Sequence, residues 1–258
     1  MLTRVKSDKE IDSMREAGQM LAKVLQLLVD KVEPGMTTKS LADIAAAELK
    51  SLGGQPSFLG YQGYPDVICI SVNDEVVHGI PSRDHLINSG DIVGLDFGVT
   101  YNGMITDAAR TVIVGRPAQR RHVELVSRTE EALMAGIAAV HSGIRTGDIG
   151  YEVQKVLNKS KYGIVRDLVG HGVGHDLHED PNIPNYGRAH TGPWLNKHMT
   201  IAIEPMSTLG GDAVRVAKDG WTILTADGSW SAHFEHTVLI TDEGSEVLTK
   251  YPVIQAIS

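Results

Sequence analysis

Acidic residues standing where they are costly constrain this 258-residue sequence more than any other feature. Asp96 lies inside the apolar run IVGLDFG, Asp107 follows MIT, Glu204 ends TIAIE, and Glu235 lies in HFEHTVLI. A strand alternates faces, so any one of these could point to solvent, and Asp and Glu are mostly exposed in folded proteins. Four in such runs are harder to turn outward. Asp96 and Asp107 flank Asn102-Gly103, a strong hairpin-turn pair, at near-symmetric distances, and in a hairpin they would lie close across the strands. Converging carboxylates raise one another's pKa unless positive charge is supplied. No Lys alternates with them, and Arg110 is the only cation in the immediate stretches. Two divalent ions would balance four negative charges. Oxygen-rich ligation with one or two imidazoles suits Mn, Fe, Co or Zn.

The acidic positions also belong to a repeated programme. Gly35 and Gly143 lie 108 positions apart, in the similar stretches VEPGMTTKS and HSGIRTGDI, and Asp96 and Glu204 have the same offset. A first helix begins at the Ser7–Glu10 capping box and carries Ile11, Met14, Leu21, Val24, Leu25 and Leu28 on one face. Pro34-Gly35 stops it. Thr37 or Thr38 caps a second helix with Leu41, Ile44, Ala45 and Leu49 inward. Residues 67–73, 91–101 and 104–115 are β-rich. A third helix is expected over 117–141, starting at Pro117 with Val123, Val126, Leu133, Ile137 and Val140 as its stripe, and a fourth carries Ile149, Val153, Val156 and Leu157. No Pro/Ser-rich linker divides the chain. The expectation is one domain over 1–258, with an internal pseudo-repeat of roughly 7–115 and 117–250.

Composition narrows the classes. Hydrophobic residues make up 42%, enough for a sizeable core, and a net charge of −8 without a basic block argues against nucleic acid or an anionic membrane as partner. The single cysteine, Cys69, excludes an internal disulfide and a four-cysteine zinc site. The charged N-terminal stretch lacks a signal peptide's apolar core, and no run approaches the roughly 18 apolar residues of a membrane span. A cytoplasmic, soluble protein is the expectation.

Histidines supply further candidates. VGHGVGHDLHEDP holds His171, His175 and His178, but the Glu of H-E-x-x-H is missing and Gly172 and Gly174 disfavour a helix, so the helical zinc-protease reading is rejected. In an extended segment His171 could reach a metal while His178 reaches a substrate. His78 precedes a Gly-Ile-Pro turn. For any one of them, a surface or hydrogen-bonded core position is the plain alternative, and His122, His190 and His198 are left to it. Asp96-Phe97-Gly98 matches the kinase DFG by chance, having neither the Gly-rich loop nor H-R-D. Cys69 reads as a buried wall rather than a nucleophile.

Five separated motifs in order, PSFLGYQGYPDVICISVNDEVVHGIP, GDIVGLDFG, VGHGVGHDLHEDPNIPNYG, MTIAIEPM and DGWTILTADGSWSAHFEHTVLITDEG, resemble the type I methionine aminopeptidases in their short bacterial form, over roughly residues 6–249. The resemblance implies the α+β pita-bread fold: pseudo-twofold halves with a curved antiparallel sheet and outer helices. It implies a dinuclear metal site on Asp96, Asp107, His171, Glu204 and Glu235, and it is the family pattern that selects His171 over its neighbours. The implied reaction removes the initiator methionine from nascent proteins when the second residue is small, a water held between two divalent ions attacking the scissile carbonyl. Glu204 would shuttle the proton, His178 would stabilise the oxyanion, and His78 would contact the substrate backbone. Tyr61, Tyr64, Cys69 and Trp221, with Phe58 nearby, would line the methionine pocket. Asn73 and Ser231 match positions that help bind a monovalent cation. Members are usually monomers, so a monomer is expected.

Three departures stand out. Leu177 occupies a position where an aromatic is common, giving a softer or wider wall. Lys197-His198 replaces a usual Pro-Gly turn. DAART, with Arg110, resembles the X-Pro aminopeptidase relatives. The alternatives are therefore an X-Pro aminopeptidase or prolidase-like dimetal peptidase, and a non-catalytic pita-bread module binding peptides or a partner protein, for which loss of a ligand would be the mark.

Overall fold

The structure, a computed structural model, describes residues 5–251. Helix α1 (Asp8–Lys31) starts at the Ser7–Glu10 capping box and buries the expected stripe from Ile11 to Leu28. Helix α2 (Thr38–Leu52) takes Thr37 as its cap and ends at Gly53 in the left-handed conformation that glycine adopts without cost. Helix α3 spans Arg120–Ala138 rather than starting at Pro117, because Gln119 is still extended. Its buried face carries His122, Leu125, Thr129, Ala132, Leu133, Gly136 and Ile137. Val123 is exposed instead. Helix α4 (Thr146–Ser160) buries Ile149, Val153, Val156 and Leu157. It matches α2 in length and begins 108 positions after it, the same offset as the glycines and carboxylates.

All the strand pairings among the described residues are antiparallel. In the first half, strand Ile92–Tyr101 pairs along its whole length with Met104–Ile113. The two-residue turn Asn102-Gly103 has both φ angles positive, the conformation that matches strand twist. The turn fixes the register. Tyr101 opposes Met104, so Asp107 stands opposite Gly98, and Asp96 opposite Ala109. The two carboxylates are thus diagonal neighbours on one face, not a directly opposed pair. Val93, Leu95, Phe97, Val99 and Ala108 turn to the other face and join α1 and α2 in the first core.

The second half repeats the plan with shorter strands. Thr200–Ile203 pairs with His236–Ile240 inside a five-stranded sheet, and Met206–Thr208 pairs with Ser231–His233 in another. Ile203 opposes His236 and Met206 opposes His233, so one register runs through both sheets and places Glu204 opposite Glu235 at the break between them. Ile201, Ile203, Phe234, Val238 and Ile240 face a second core with residues of α3 and α4.

The halves join along strand Met104–Ile113. Glu235 and Ala109 exchange backbone hydrogen bonds at 2.9 and 3.3 Å. Two residues to either side, threonine hydroxyls replace direct bonds. Thr237 Oγ1 accepts from Asp107 N at 2.8 Å and donates to its carbonyl at 2.7 Å. Thr111 Oγ1 accepts from His233 N at 3.0 Å and donates to its carbonyl. One transverse row therefore crosses the joined sheet: Glu204, Glu235, Ala109, Asp96 and Cys69. Residues directly opposite one another project from the same face, so the acidic side chains gather over the seam, away from both cores.

Candidate metal centre and its cleft

Asp107 and Glu235 are buried, while Asp96 and Glu204 are partly open to an internal cavity. Gly172 pairs with Ile201, which sets His171 across from Ala202 and on the Glu204 side of the sheet. Ligand atoms of Asp107, His171 and Glu235 lie within 4.8 Å of one another, and His171 Nε2 is 3.4 Å from Glu204 Oε1. His171 Nδ1 is 2.9 Å from the Gly172 carbonyl. A carbonyl only accepts, so Nδ1 carries the proton and Nε2 presents its lone pair to the carboxylates. The residues that the sequence singled out are brought together here.

The electrostatics are those of a site lacking a counter-charge. Burial, then the charges of Asp107 and Glu204, push the Asp96 carboxyl well above its usual range. Burial lifts Asp107 to about 7. Glu204 is raised by burial and Asp107, and Glu235 by burial and the other three carboxylates. Burial also lowers His171 to about 3, with neighbouring His178 adding to the effect. Among the described residues no Lys or Arg pairs with the four carboxylates. Arg110, the one cation in those stretches, donates to Gln26 Oε1 at 2.8 Å and stacks over Tyr251. Buried Asp96 Oδ1, Asp107 Oδ1 and Glu235 Oε1 have no hydrogen-bond partner among the described residues. Buried polar atoms are normally satisfied, and oxygen donors with one lone-pair nitrogen are what a hard or borderline divalent ion takes. The donor set fits such ions.

Above the carboxylates lies a cavity of about 140 Å³ lined by Phe58, Tyr61, Tyr64, Cys69, Leu177 and Trp221. Phe58 packs on Gly98, where a Cβ would come within 2.6 Å of its ring. That small residue therefore admits the ring beside Asp107. Cys69 opposes Asp96 in the strand register, and burial holds its thiol well above its ordinary pKa. Tyr64 stands edge-on to Trp221 at 5.2 Å. A wider opening of about 630 Å³, bordered by His78, His171, His178 and Glu204, leads outward. His78 sits at a left-handed φ of 60°, a conformation costly for a non-glycine residue and concentrated at functional sites. Burial, with His178 nearby, lowers it to about 4. It is neutral at physiological pH.

Tyr61 does more than line the wall. Its hydroxyl lies 2.8 Å from His178 Nδ1 and accepts from the Gln62 amide at 3.2 Å. With the phenol donating to Nδ1, Nε2–H of His178 would be left to donate into the cleft. Sequence reasoning missed His233, buried with Nε2 3.7 Å from Glu204 Oε2. Its spacing of two from Glu235 on a strand was the available signal. It also missed Gln62 and the buried Asn185, whose Nδ2 donates to the Glu204 carbonyl at 3.0 Å. Ser231 Oγ meets the carbonyls of Asn73 and Glu75, both at 3.1 Å. The Asn73 side chain itself is engaged by Asp91 and Ile92.

The fold and this arrangement of donors define a metallopeptidase of the pita-bread class, and the chain belongs to metallopeptidase family M24, whose model matches residues 12–242. A methionine aminopeptidase of Clostridium perfringens is 45% identical over 95% of this chain and 98% of that relative. The crystal structure of the methionine aminopeptidase from Thermotoga maritima superposes with a TM-score of 0.95 at 45% identity, covering 96% of this chain and all of that one. The prolidase from Pyrococcus furiosus matches with a TM-score of 0.78 at 25% identity over 98% of this chain, which covers only 67% of the prolidase.

Proposed function

We propose that this chain is a methionine aminopeptidase that removes the initiator methionine of newly made proteins when the next residue is small. One observation carries the reading: unpartnered buried carboxylates and His171 form the floor of an apolar, aromatic-edged slot. An unbranched thioether fits such a slot. Asp96, Asp107, His171, Glu204 and Glu235 would hold two divalent ions, Co, Mn, Fe or Zn. When bound, they supply the charge that ionises the carboxylates, Lewis acidity, and a water with a pKa near 7.

The protein's own groups divide the remaining work. Glu204, at the break between sheets, takes and returns the proton. His178 donates Nε2–H to the oxygen that becomes negative in the transition state, with Tyr61 holding the ring. His78, neutral, holds the substrate backbone beside the scissile bond. Asn73, Glu75 and Ser231 offer the oxygens of a monovalent cation site.

Among the described residues no helix is long and apolar enough to cross a membrane. The reading includes a monomer acting in the cytoplasm on nascent N-termini, and a single domain built from two similar halves. The X-Pro alternative rested on Arg110, which turns to Gln26 and Tyr251 rather than into the cleft.

The test is cleavage of Met-Ala-Ser and Ala-Pro-Ala by chelator-stripped protein with Mn, Co, Fe or Zn returned singly. Metal-restored release of Met alone is expected. Preference for the Ala-Pro bond would assign the chain to the X-Pro enzymes, and silence without metal binding would favour a peptide-binding module.

A further inference from the structure

Lys6 is the one lysine among the described residues whose side chain is fully enclosed, and its ammonium lies 2.6 Å from Glu179 Oε2. A charge so deeply placed is costly unless its partner is well fixed. Glu179 is fixed from the other side, because its Oε1 accepts from the backbone N–H of His175 at 2.6 Å and of Asp176 at 3.2 Å. These bonds close the irregular turn between strands Gly170–Gly172 and Glu179–Ile183, and that turn carries Leu177 and His178. Lys6 also fills the concave side of the turn. A Cβ on Gly174 would come within 2.4 Å of Lys6 Cε, and Gly174 has φ +145°. The backbone of Lys6 is tied to His198 O at 2.9 Å. A second grip comes from the same end of α1, where Glu10 accepts from Ser7 and meets His175 Nε2 at 2.8 Å.

We propose that Lys6 and Glu179 are a positioning pair: the segment entering α1 clasps the 174–179 turn and so sets the reach of His178 into the cleft. The inference rests on the proposed role of His178. Glu179 also lines the wide opening beside His178, but the pair's role is to act through the turn it closes.

The test is a double-mutant cycle on the metal-loaded enzyme. Lys6→Met should lower kcat for a Met-Ala-Ser peptide on the order of 10- to 100-fold, the scale of a misplaced catalytic group. KM should change by less than about twofold, and Mn titrated by calorimetry should bind with unchanged stoichiometry. In a His178→Ala background the same substitution should cost less than about twofold, since coupled residues are not additive. Hydrogen exchange at His175 and Asp176 should quicken while the hairpin 92–113 stays protected. Glu179→Gln reads the pair from its other end, keeping a carbonyl for the turn but removing the charge, and should show the same coupling should Lys6→Met fail to fold. Equal losses with and without His178, or unchanged exchange in the turn, would overturn the proposal. A His178→Ala enzyme of near-normal turnover would remove the role of His178 itself. An impaired His178→Ala beside unimpaired Lys6→Met and Glu179→Gln would remove only the positioning.

Discussion

The two halves of the molecule bring carboxylates to the same seam by different means. In the first half Asp96 and Asp107 stand within unbroken ten-residue strands, held by a continuous ladder and a two-residue turn. In the second half Glu204 and Glu235 stand where both strands leave one sheet for another. Pro205, next to Glu204, has no N–H, so only one hydrogen bond, Phe234 N to Pro205 O at 3.3 Å, spans the break. The first half sets its two carboxylates on a continuous hairpin ladder. The second holds Glu235 by its bonds to Ala109 and leaves Glu204 beside the break that one bond spans, the placement on which its proposed proton-shuttle role rests. On the proposed roles, similar chain programmes are divided into a fixed wall and a working wall.

The contrast is sharpest in substitutions. Glu204→Gln should lower kcat by up to about 10⁴-fold, the upper range for a lost general acid–base, with circular dichroism unchanged. Retained turnover would remove the working wall's claim. Asp107→Asn should instead act through the metal, weakening Mn binding in calorimetry by about 10- to 100-fold. The same change should raise the metal-free melting temperature at pH 8, since it deletes a carboxylate held in an unfavourable place. A lower metal-free melting temperature would show that the fixed wall depends on that charge.

A pH series compares the loaded and metal-free proteins. Asp107 is raised from 3.8 to about 7. Between those values the folded, metal-free chain keeps a proton that the unfolded chain releases, so this contribution is full below about 4 and is lost as pH rises through about 7. Metal binding needs the carboxylates ionised and therefore strengthens over the same window. The melting-temperature gain on adding Mn should grow from pH 5 to pH 8, and a flat gain would contradict the shared site. The smallest effect is expected from Pro205→Ala. Stability should change by less than about 1 kcal/mol, while kcat falls a fewfold because the new N–H can close onto Phe234 and stiffen the break. An unchanged kcat would show that the freed backbone is not what Glu204 requires.

Much of this was legible in the chain. The capping box of α1, the Asn102-Gly103 turn and the carboxylates in apolar runs are local signals, and local signals depend on residues a few positions apart. The diagonal placement of Asp96 and Asp107 was within reach too, because a two-residue turn leaves one register. Helix α3 was misread at its start. Pro117 suits a first turn, but the chain stays extended to Gln119, and packing selects His122 and Leu125 over Val123.

Sequence alone picked out the four carboxylates as candidates for holding metal, carried the 108-residue offset between similar segments, and determined the helices and hairpin that local chemistry enforces. Only the tertiary structure decided that Glu204, Glu235, Ala109 and Asp96 form one row, that Tyr61 holds His178, and that Lys6 grips the turn from 173 residues away. Those contacts join segments far apart in the chain. Their geometry is set by how two sheets and two cores settle against each other, and no short stretch of sequence carries that information.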